Sequence, residues 1–377
     1  MTYDVIDLTK KLIACPSVTP KDAGALVYLE QQLTTLGFTC HMLGFGEGED
    51  YVPNLFARYG SKSPHICYVG HTDVVPPGPE DQWTYGPFNP HIEDGILYGR
   101  GSSDMKGSVA AFTAAVSHYL ETEKPSGSIS LIITGDEEGP AINGTVKVLE
   151  WMKEHGHIPD VALGGEPTNP DHLGEQIKVG RRGSLSGSLT ITGKQGHVAY
   201  PHLSDNPMPR LIKALNALAS HVFDEGTDYF AATNLEITTI DVGNTTENVI
   251  PESGSAKFNI RFNDKWSSES LTAKLHELLS PFGHYELDAR CGAESFMTQP
   301  AEWSDIVKNA VKDITGNTAA FTTTGGTSDA RFMAQYCPTV EFGGINETIH
   351  QINENAKVSD LEQLSKIYQR VLELYFA

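Results

Sequence analysis

Residues 128–139 read SISLIITGDEEG. Its first part, residues 128–134, is an apolar run that predicts a buried β-strand. After Gly135, three acidic residues follow the run, namely Asp136, Glu137 and Glu138. Ligands of open α/β sheets gather beyond the carboxyl ends of the strands. The stretch therefore predicts an α/β sheet with a polar site at one edge.

The same arrangement recurs along the chain. GHTD at 70–73 follows the apolar run 65–70, and Glu166 follows the run 161–165. Asp104 lies within the glycine-rich string GRGSSDMKG at 99–107, and TIH at 348–350 ends in a histidine. A single acidic string is usually only a solvated surface. Five such strings, most of them at strand ends, instead predict a metal site assembled from distant parts of the chain.

Imidazole and carboxylate side chains suit zinc, and cobalt and manganese accept the same mixture. Two ions in a hydrolytic centre usually share a bridging carboxylate. The sequence predicts His71 and Glu166 on one ion, Glu138 and His350 on the other, and Asp104 as the bridge.

Two further acids complete the predicted centre. Glu137, next to a ligand, is predicted to be the general base that accepts a proton from water. Asp73, two residues after His71, is predicted to orient the imidazole of that ligand.

Helical and strand patterns alternate in the N-terminal part and again near the C-terminus, which predicts a mixed, mainly parallel sheet covered by helices. Between them the order changes to β-α-β-β-α-β, the pattern of a ferredoxin-like sandwich. We therefore predict two domains: a metal-binding catalytic domain of residues 1–181 and 295–377, and an inserted domain of residues 182–294.

Composition excludes several classes of protein. The formal net charge is −21, which argues against nucleic acid or an anionic membrane as a partner. No apolar run is long enough to cross a bilayer, and the first residues lack the basic start of a secretory signal. Five scattered cysteines without a Cys-x-x-Cys pair are typical of reduced thiols, so a cytoplasmic location is expected.

GHTDVVP at 70–76, GRGSSDMKG at 99–107 and TGDEEG at 134–139 resemble the aminoacylase/carboxypeptidase family of dinuclear zinc hydrolases. The resemblance extends over essentially the whole chain. It implies a zinc-exopeptidase-like catalytic domain with an inserted lid and dimerisation domain, the same metal ligands, and a cis peptide bond after Asp104. It also implies a homodimer formed through the lid.

Other strings resemble the branch of that family that removes succinyl groups, namely PSVTP at 16–20, GTSDARF at 326–332 and VEFG at 340–343 with Asn346 after it. Planar guanidinium groups bind carboxylates in a bidentate manner, so arginines suit a small anionic amide as substrate. The predicted substrate-binding residues of this part are Arg181, Gly326, Thr327, Ser328, Arg331 and Asn346. Arg182 is interpreted as a surface arginine.

For two residues of the inserted domain, a role is implied only by the family resemblance. It implies that His197 donates to a developing oxyanion, either within its own chain or from a partner subunit, and that Asn248 contacts substrate. Glu247 departs from the family pattern, which tends to have a second Asn there. A second departure is Pro209, where the related motif ends in His.

The sequence therefore predicts hydrolysis of an amide bond by a water activated between two metal ions. Two alternatives stay open within the enzyme class, namely removal of an acetyl group and trimming of a C-terminal residue. A catalytically silent binding protein is a third alternative, although it would be expected to lack a ligand or the base.

Overall fold

The computed structural model describes residues 2–377. Its contacts divide the chain into two compact units. The first unit comprises the described residues up to Val179 together with Thr298–Thr322 and Ser328–Ala377, and the second comprises Gly180–Met297 and Thr323–Thr327. These bounds differ from the predicted domains because residues 180–181, 295–297 and 323–327 cluster with the second unit.

The α-helices of the described chain are α1 (Val5–Ile13), α2 (Ala25–Thr35), α3 (Lys106–Thr122), α4 (Thr145–Glu154), α5 (Met208–Ala219), α6 (Ser268–Leu279), α7 (Glu302–Thr315), α8 (Ala330–Met333) and α9 (Val358–Tyr375). Short 3₁₀ segments occur at Gly48–Asp50, Glu80–Gln82, Pro201–Leu203 and Ser280–Phe282.

The strands are β1 (Thr39–Phe45), β2 (Val52–Tyr59), β3 (His65–His71), β4 (His91–Glu93), β5 (Ile96–Tyr98), β6 (Ser128–Thr134), β7 (Val161–Gly164), β8 (Gln176–Lys178), β9 (Gly180–Arg181), β10 (Gly183–Thr192), β11 (Gly196–His197), β12 (Asn234–Asp241), β13 (Val249–Ile250), β14 (Ser253–Phe262), β15 (Glu286–Ala293), β16 (Phe296–Met297), β17 (Ala320–Thr322), β18 (Thr339–Glu341) and β19 (Asn355–Lys357).

The main sheet of the first unit has eight strands in the order β1-β2-β6-β3-β7-β18-β8-β17. Its central strands β6, β3, β7 and β18 run parallel to one another, whereas β1, β2 and the β18–β8 pair are antiparallel. Every residue of β3 and β6 is buried, as expected for central strands covered on both faces. The predicted α/β fold with a mixed, mostly parallel sheet is confirmed.

Alternating side chains of β3 pack into different helical layers. Tyr68 stacks on Phe112 of α3, with ring centroids 4.2 Å apart, and meets Tyr368 of α9 edge-on. Cys67 and Val69, on the other face, belong to an apolar cluster with side chains of α4 and α8. The helices thus hold the ends of the parallel strands in fixed positions.

The second unit contains a four-stranded antiparallel sheet in the order β12-β14-β10-β15. With α5 and α6, its chain order is β10-α5-β12-β14-α6-β15. Along β10 and β14, buried positions alternate with more exposed ones. The buried side chains lie on one face of the sheet and pack against α5 and α6. Across residues 2–377, no helix combines the length and apolar character needed to span a membrane.

Candidate metal centre

Three strand ends bring the first donors together. β3 lies between β6 and β7 and runs parallel to both. His71 is the last residue of β3, while Glu137 and Glu138 follow the end of β6 and Glu166 follows the end of β7. Because the carboxyl ends of neighbouring parallel strands meet at one edge of a sheet, these side chains converge there.

Two loops supply the remaining donors. Asp104 precedes α3 and is joined to Met105 by a cis peptide bond, as the resemblance implied. His350 lies in the turn before β19 with a φ of 60°, a left-handed conformation that is uncommon for residues other than glycine. The carboxylate of Asp104 faces both histidines: Oδ1 lies 3.5 Å from His71 Nε2, and Oδ2 lies 3.1 Å from His350 Nε2.

The other carboxylates surround these histidines. Glu166 Oε1 lies 3.6 Å from His71 Nε2, and Glu137 Oε2 lies 3.9 Å from the same nitrogen. Glu138 Oε1 lies 2.9 Å from His350 Nε2. Two sets of three donors have all their ligand atoms within 4.8 Å of one another, and these sets are His71, Asp104 and Glu138, and His71, Glu137 and Glu166.

The donors fit divalent metal ions. Although His71 Nε2 and Asp104 Oδ1 are both buried, neither has a hydrogen-bond partner among the described residues. A buried polar atom without a partner is costly, and a bound cation would satisfy both atoms. His71 Nδ1 donates to the main-chain oxygen of Asp73 at 2.9 Å, which leaves Nε2 free to bind an ion. The mixture of imidazole and carboxylate is one that zinc accepts.

The acidic and histidine side chains of the centre lie close enough to shift one another's pKa values. Burial and the neighbouring carboxylate of Glu166 raise the pKa of Glu137 well above its ordinary range. Burial alone would lower the pKa of His71, but Asp104 and the surrounding carboxylates hold that pKa well above its usual value. Hydrogen bonds to Asp104 and Glu138 raise the pKa of His350 to about 10. The centre therefore attracts positive charge, either protons or metal ions.

Asp73 contacts His71 through its main chain and through its carboxylate. Its carboxylate Oδ1 lies 3.6 Å from His71 Nδ1, beyond a hydrogen bond, and the imidazole instead donates to the Asp73 main chain. The carboxylate accepts from the main-chain N–H groups of Glu137 at 3.3 Å and Glu138 at 3.0 Å. Asp73 thus fixes the segment that carries the two glutamates, because its side chain is long enough to reach their backbone.

Several predicted substrate-binding residues belong to the second unit. Arg181, which is 7% exposed, donates from Nη1 to the main-chain oxygen of Gly326 at 3.1 Å, and Thr327 is half-buried in the same segment. His197 pairs with Val249 in the β11–β13 ladder, so its strand lies beside Asn248. The side chains of His197 and Asn248 are both exposed.

The remaining predicted substrate residues lie in the first unit. Ser328 is buried, and its Oγ donates to Glu341 Oε1 at 2.6 Å. Arg331 donates to the main-chain oxygen of Ser328 at 3.2 Å, and its guanidinium lies 4.3 Å from the ring centre of Phe332. Asn346 donates through its main-chain N–H to Asn169. Arg182, interpreted as a surface residue, is half-buried and donates to Asn234 Oδ1.

One acid near the centre was missed by the sequence reasoning. Asp136 is buried, and its Oδ2 accepts from the main-chain N–H groups of Ile142 and Asn143 at 2.8 and 2.9 Å. These bonds close the loop that follows Glu138. The only available signal was its place in GDEEG, where it is indistinguishable from its acidic neighbours.

A model of peptidase family M20/M25/M40 matches residues 67–374. The chain belongs to this family of metal-dependent hydrolases. It is 55% identical over 380 residues to a succinyl-diaminopimelate desuccinylase of Rhodospirillum centenum, covering 100% of this chain and 98% of the relative. A succinyl-diaminopimelate desuccinylase of Beijerinckia indica is 49% identical over 382 residues, with 100% of both chains covered. An M20 family metallo-carboxypeptidase from Sulfolobus solfataricus shares the fold at a TM-score of 0.79 and 19% identity, over 99% of both chains.

Proposed function

We propose that this chain hydrolyses N-succinyl-LL-2,6-diaminopimelate to succinate and LL-2,6-diaminopimelate. The observation that carries the reaction type is the convergence of two histidines on the opposite oxygens of Asp104. The assignment of the substrate is based on two relatives of 55% and 49% identity that are named for this activity. The similarity extends over at least 98% of each relative's length. The proposed reaction belongs to the diaminopimelate route to lysine.

The proposed centre holds two divalent ions, zinc first and cobalt or manganese as replacements. In this proposal His71 and Glu166 would hold one ion, Glu138 and His350 would hold the other, and Asp104 would contribute a carboxylate oxygen to each. When bound, such ions would supply polarisation of the scissile carbonyl and a lower pKa of a coordinated water.

The proton transfers belong to the chain itself. In this proposal, a carboxylate oxygen of Glu137 accepts a proton from the attacking water and delivers it to the nitrogen of the leaving amine. The Asp73 carboxylate holds the N–H groups of Glu137 and Glu138, which supports this geometry. His197 donates a hydrogen bond to the oxyanion that develops on the carbonyl oxygen.

The substrate carries three carboxylates, which we propose are bound by arginine and by small donors. Arg181 is the proposed anion-binding arginine of the second unit, together with Asn248, Gly326 and Thr327. In the first unit the proposed contacts come from Ser328, Arg331 and Asn346. Arg331 lies near the buried carboxylate of Asp329, and burial raises the pKa of that acid.

The proposed assembly is a homodimer formed through the second unit, in the cytoplasm. Exposed apolar side chains of that unit support the assembly: Leu203, Ile212 and Ile240 are 59–67% exposed. All five cysteines are free, as expected for a reducing compartment. Light scattering at micromolar concentration is expected to give twice the chain mass of 41.0 kDa, whereas a monomer would contradict the assembly.

The function is tested with a panel of succinyl- and acetyl-amino acids and short peptides, using the zinc-loaded full chain. We expect the highest kcat/KM for succinyl-diaminopimelate. A preference for acetylornithine, or for trimming of a peptide C-terminus, would refute the proposed substrate. Chelation should abolish turnover and added zinc should restore it, so turnover that ignores the chelator would refute the metal-dependent reaction.

A further inference from the structure

The carboxylate of Glu354 is fully buried and accepts four hydrogen bonds from one short segment. Oε2 accepts from Arg100 Nη1 at 2.7 Å and from the main-chain N–H of Gly101 at 3.1 Å. Oε1 accepts from the main-chain N–H groups of Ser103 at 3.0 Å and Asp104 at 2.9 Å. The exposed fraction of Glu354 is 0%, so no water competes for these bonds.

Arg100 connects this carboxylate to the turn that carries His350. Its guanidinium is 2% exposed, and Nη1 also lies 3.3 Å from the main-chain oxygen of Gln351. The main-chain N–H of Gly99 donates to the main-chain oxygen of Glu354 at 2.9 Å. Residues 99–104 and 350–354 are therefore joined through one buried ion pair and its hydrogen bonds.

The Arg100–Glu354 pair lies beside two proposed metal ligands, Asp104 and His350. A buried ion pair contributes little net stability, because the loss of hydration offsets the attraction between the charges. Its hydrogen bonds nevertheless specify geometry, since a charged acceptor satisfies several N–H groups at once. Here one of those N–H groups belongs to Asp104, and the paired arginine contacts the residue that follows His350.

We propose that Glu354 and Arg100 are positioning residues that set the placement of Asp104 relative to His350. This inference rests on the proposed function, since both positioned residues are proposed ligands. The ion proposed between Glu138 and His350 depends on both of them, whereas the ion proposed between His71 and Glu166 depends only on Asp104. Disturbing the pair should therefore weaken the former ion more than the latter.

The test is Glu354→Gln in the full chain, with zinc titrated calorimetrically into metal-free protein. The amide has nearly the shape of the carboxylate, but its NH₂ group would face two donors that now point at an oxygen. Changes in groups that orient metal ligands typically cost about 10–100-fold in affinity. We expect the second zinc equivalent to bind about 10–100-fold more weakly and the first to change less.

Asp224→Asn is the matched control. Asp224 also accepts from two main-chain N–H groups and two side-chain donors, but it lies in the second unit. This variant should lower the thermal unfolding midpoint while leaving both zinc affinities unchanged. If Glu354→Gln lowers only the unfolding midpoint and keeps both zinc affinities, the pair is structural and the inference is overturned.

Arg100→Lys decides the matter if Glu354→Gln does not fold. Lysine keeps the charge but loses the planar guanidinium whose Nη1 contacts both Glu354 and Gln351, so weaker binding of the second zinc supports the inference and unchanged binding overturns it. A wild-type chain that binds fewer than two zinc ions would refute the proposed function itself. The two failures are therefore distinguishable.

Discussion

Replacement of Gly343 by alanine should displace a proposed metal ligand. Gly343 follows β18, which runs parallel to β7, and Glu166 lies just beyond the end of β7. A Cβ atom at this position would lie 2.3 Å from the main-chain oxygens of both Gly165 and Glu166. Since ordinary contacts begin at 3.4 Å and both atoms belong to the backbone, a side-chain rotation cannot relieve the overlap.

The required movement is about 1 Å, and a displacement of that size in a catalytic site can cost about 100-fold in rate. We therefore expect kcat/KM of Gly343→Ala to fall by about 100-fold, equivalent to about 2.7 kcal/mol of transition-state stabilisation. The assay is steady-state hydrolysis of succinyl-diaminopimelate, accompanied by zinc titration, because displacement of Glu166 should also weaken zinc binding.

Gly344→Ala is the matched control, since a Cβ atom there has nothing within 4 Å. It makes the same chemical change one residue away and should keep wild-type activity and zinc affinity. Equal activities of the two variants would refute the argument that the close approach at Gly343 fixes Glu166. A common loss of folding in both variants, seen in thermal unfolding, would refute it as well.

Three further predictions address the base, the pH dependence and the core. Glu137→Gln should keep both zinc ions but lower kcat/KM at least ~100-fold, and near-wild-type turnover would contradict its role as base. Burial, helped by the charge of Arg58, lowers the pKa of His65 from 6.5 to about 4. The unfolded chain therefore binds more protons between these values, and the stability due to neutral His65, complete above pH 6.5, is lost as the pH falls towards 4. In urea unfolding, the free energy of unfolding of His65→Gln should fall less steeply between pH 6.5 and 4 than that of the wild type or of the exposed-site control His284→Gln. Phe112→Ala should cost about 3–5 kcal/mol in the same assay, and a loss below 1 kcal/mol would contradict the packing described for the ring.

The sequence predicted the central sheet because its information there is local. Residues 128–134 and 65–70 are apolar runs of strand length, and the structure places β6 and β3 at almost the same residues. The donors that follow these strands could be found for the same reason, since the end of an apolar run is visible without knowing its neighbours.

The position of a side chain relative to groups that are distant in sequence was harder to predict from the sequence. The interval of two residues between His71 and Asp73 predicts that the acid orients the imidazole, but it does not specify that the main-chain oxygen accepts the hydrogen bond at 2.9 Å while the carboxylate lies 3.6 Å away. The carboxylate is free to reach Glu137 and Glu138 only because β3 and β6 are neighbours, which a one-dimensional spacing does not specify.

The same limit explains why Glu354 carried no signal. Its partner Arg100 is 254 residues away, and neither residue lies in an apolar run or beside a predicted strand end. A buried carboxylate in a loop cannot be told from a solvated one until the loop that covers it is known. The ends of parallel strands fix where His71, Glu138 and Glu166 stand, whereas Asp104 and His350 lie in loops outside that sheet, beyond the short ladder of β5 and β19. A metal centre completed by loop residues needs a second set of contacts to hold them, and the Arg100–Glu354 pair supplies bonds to both loops.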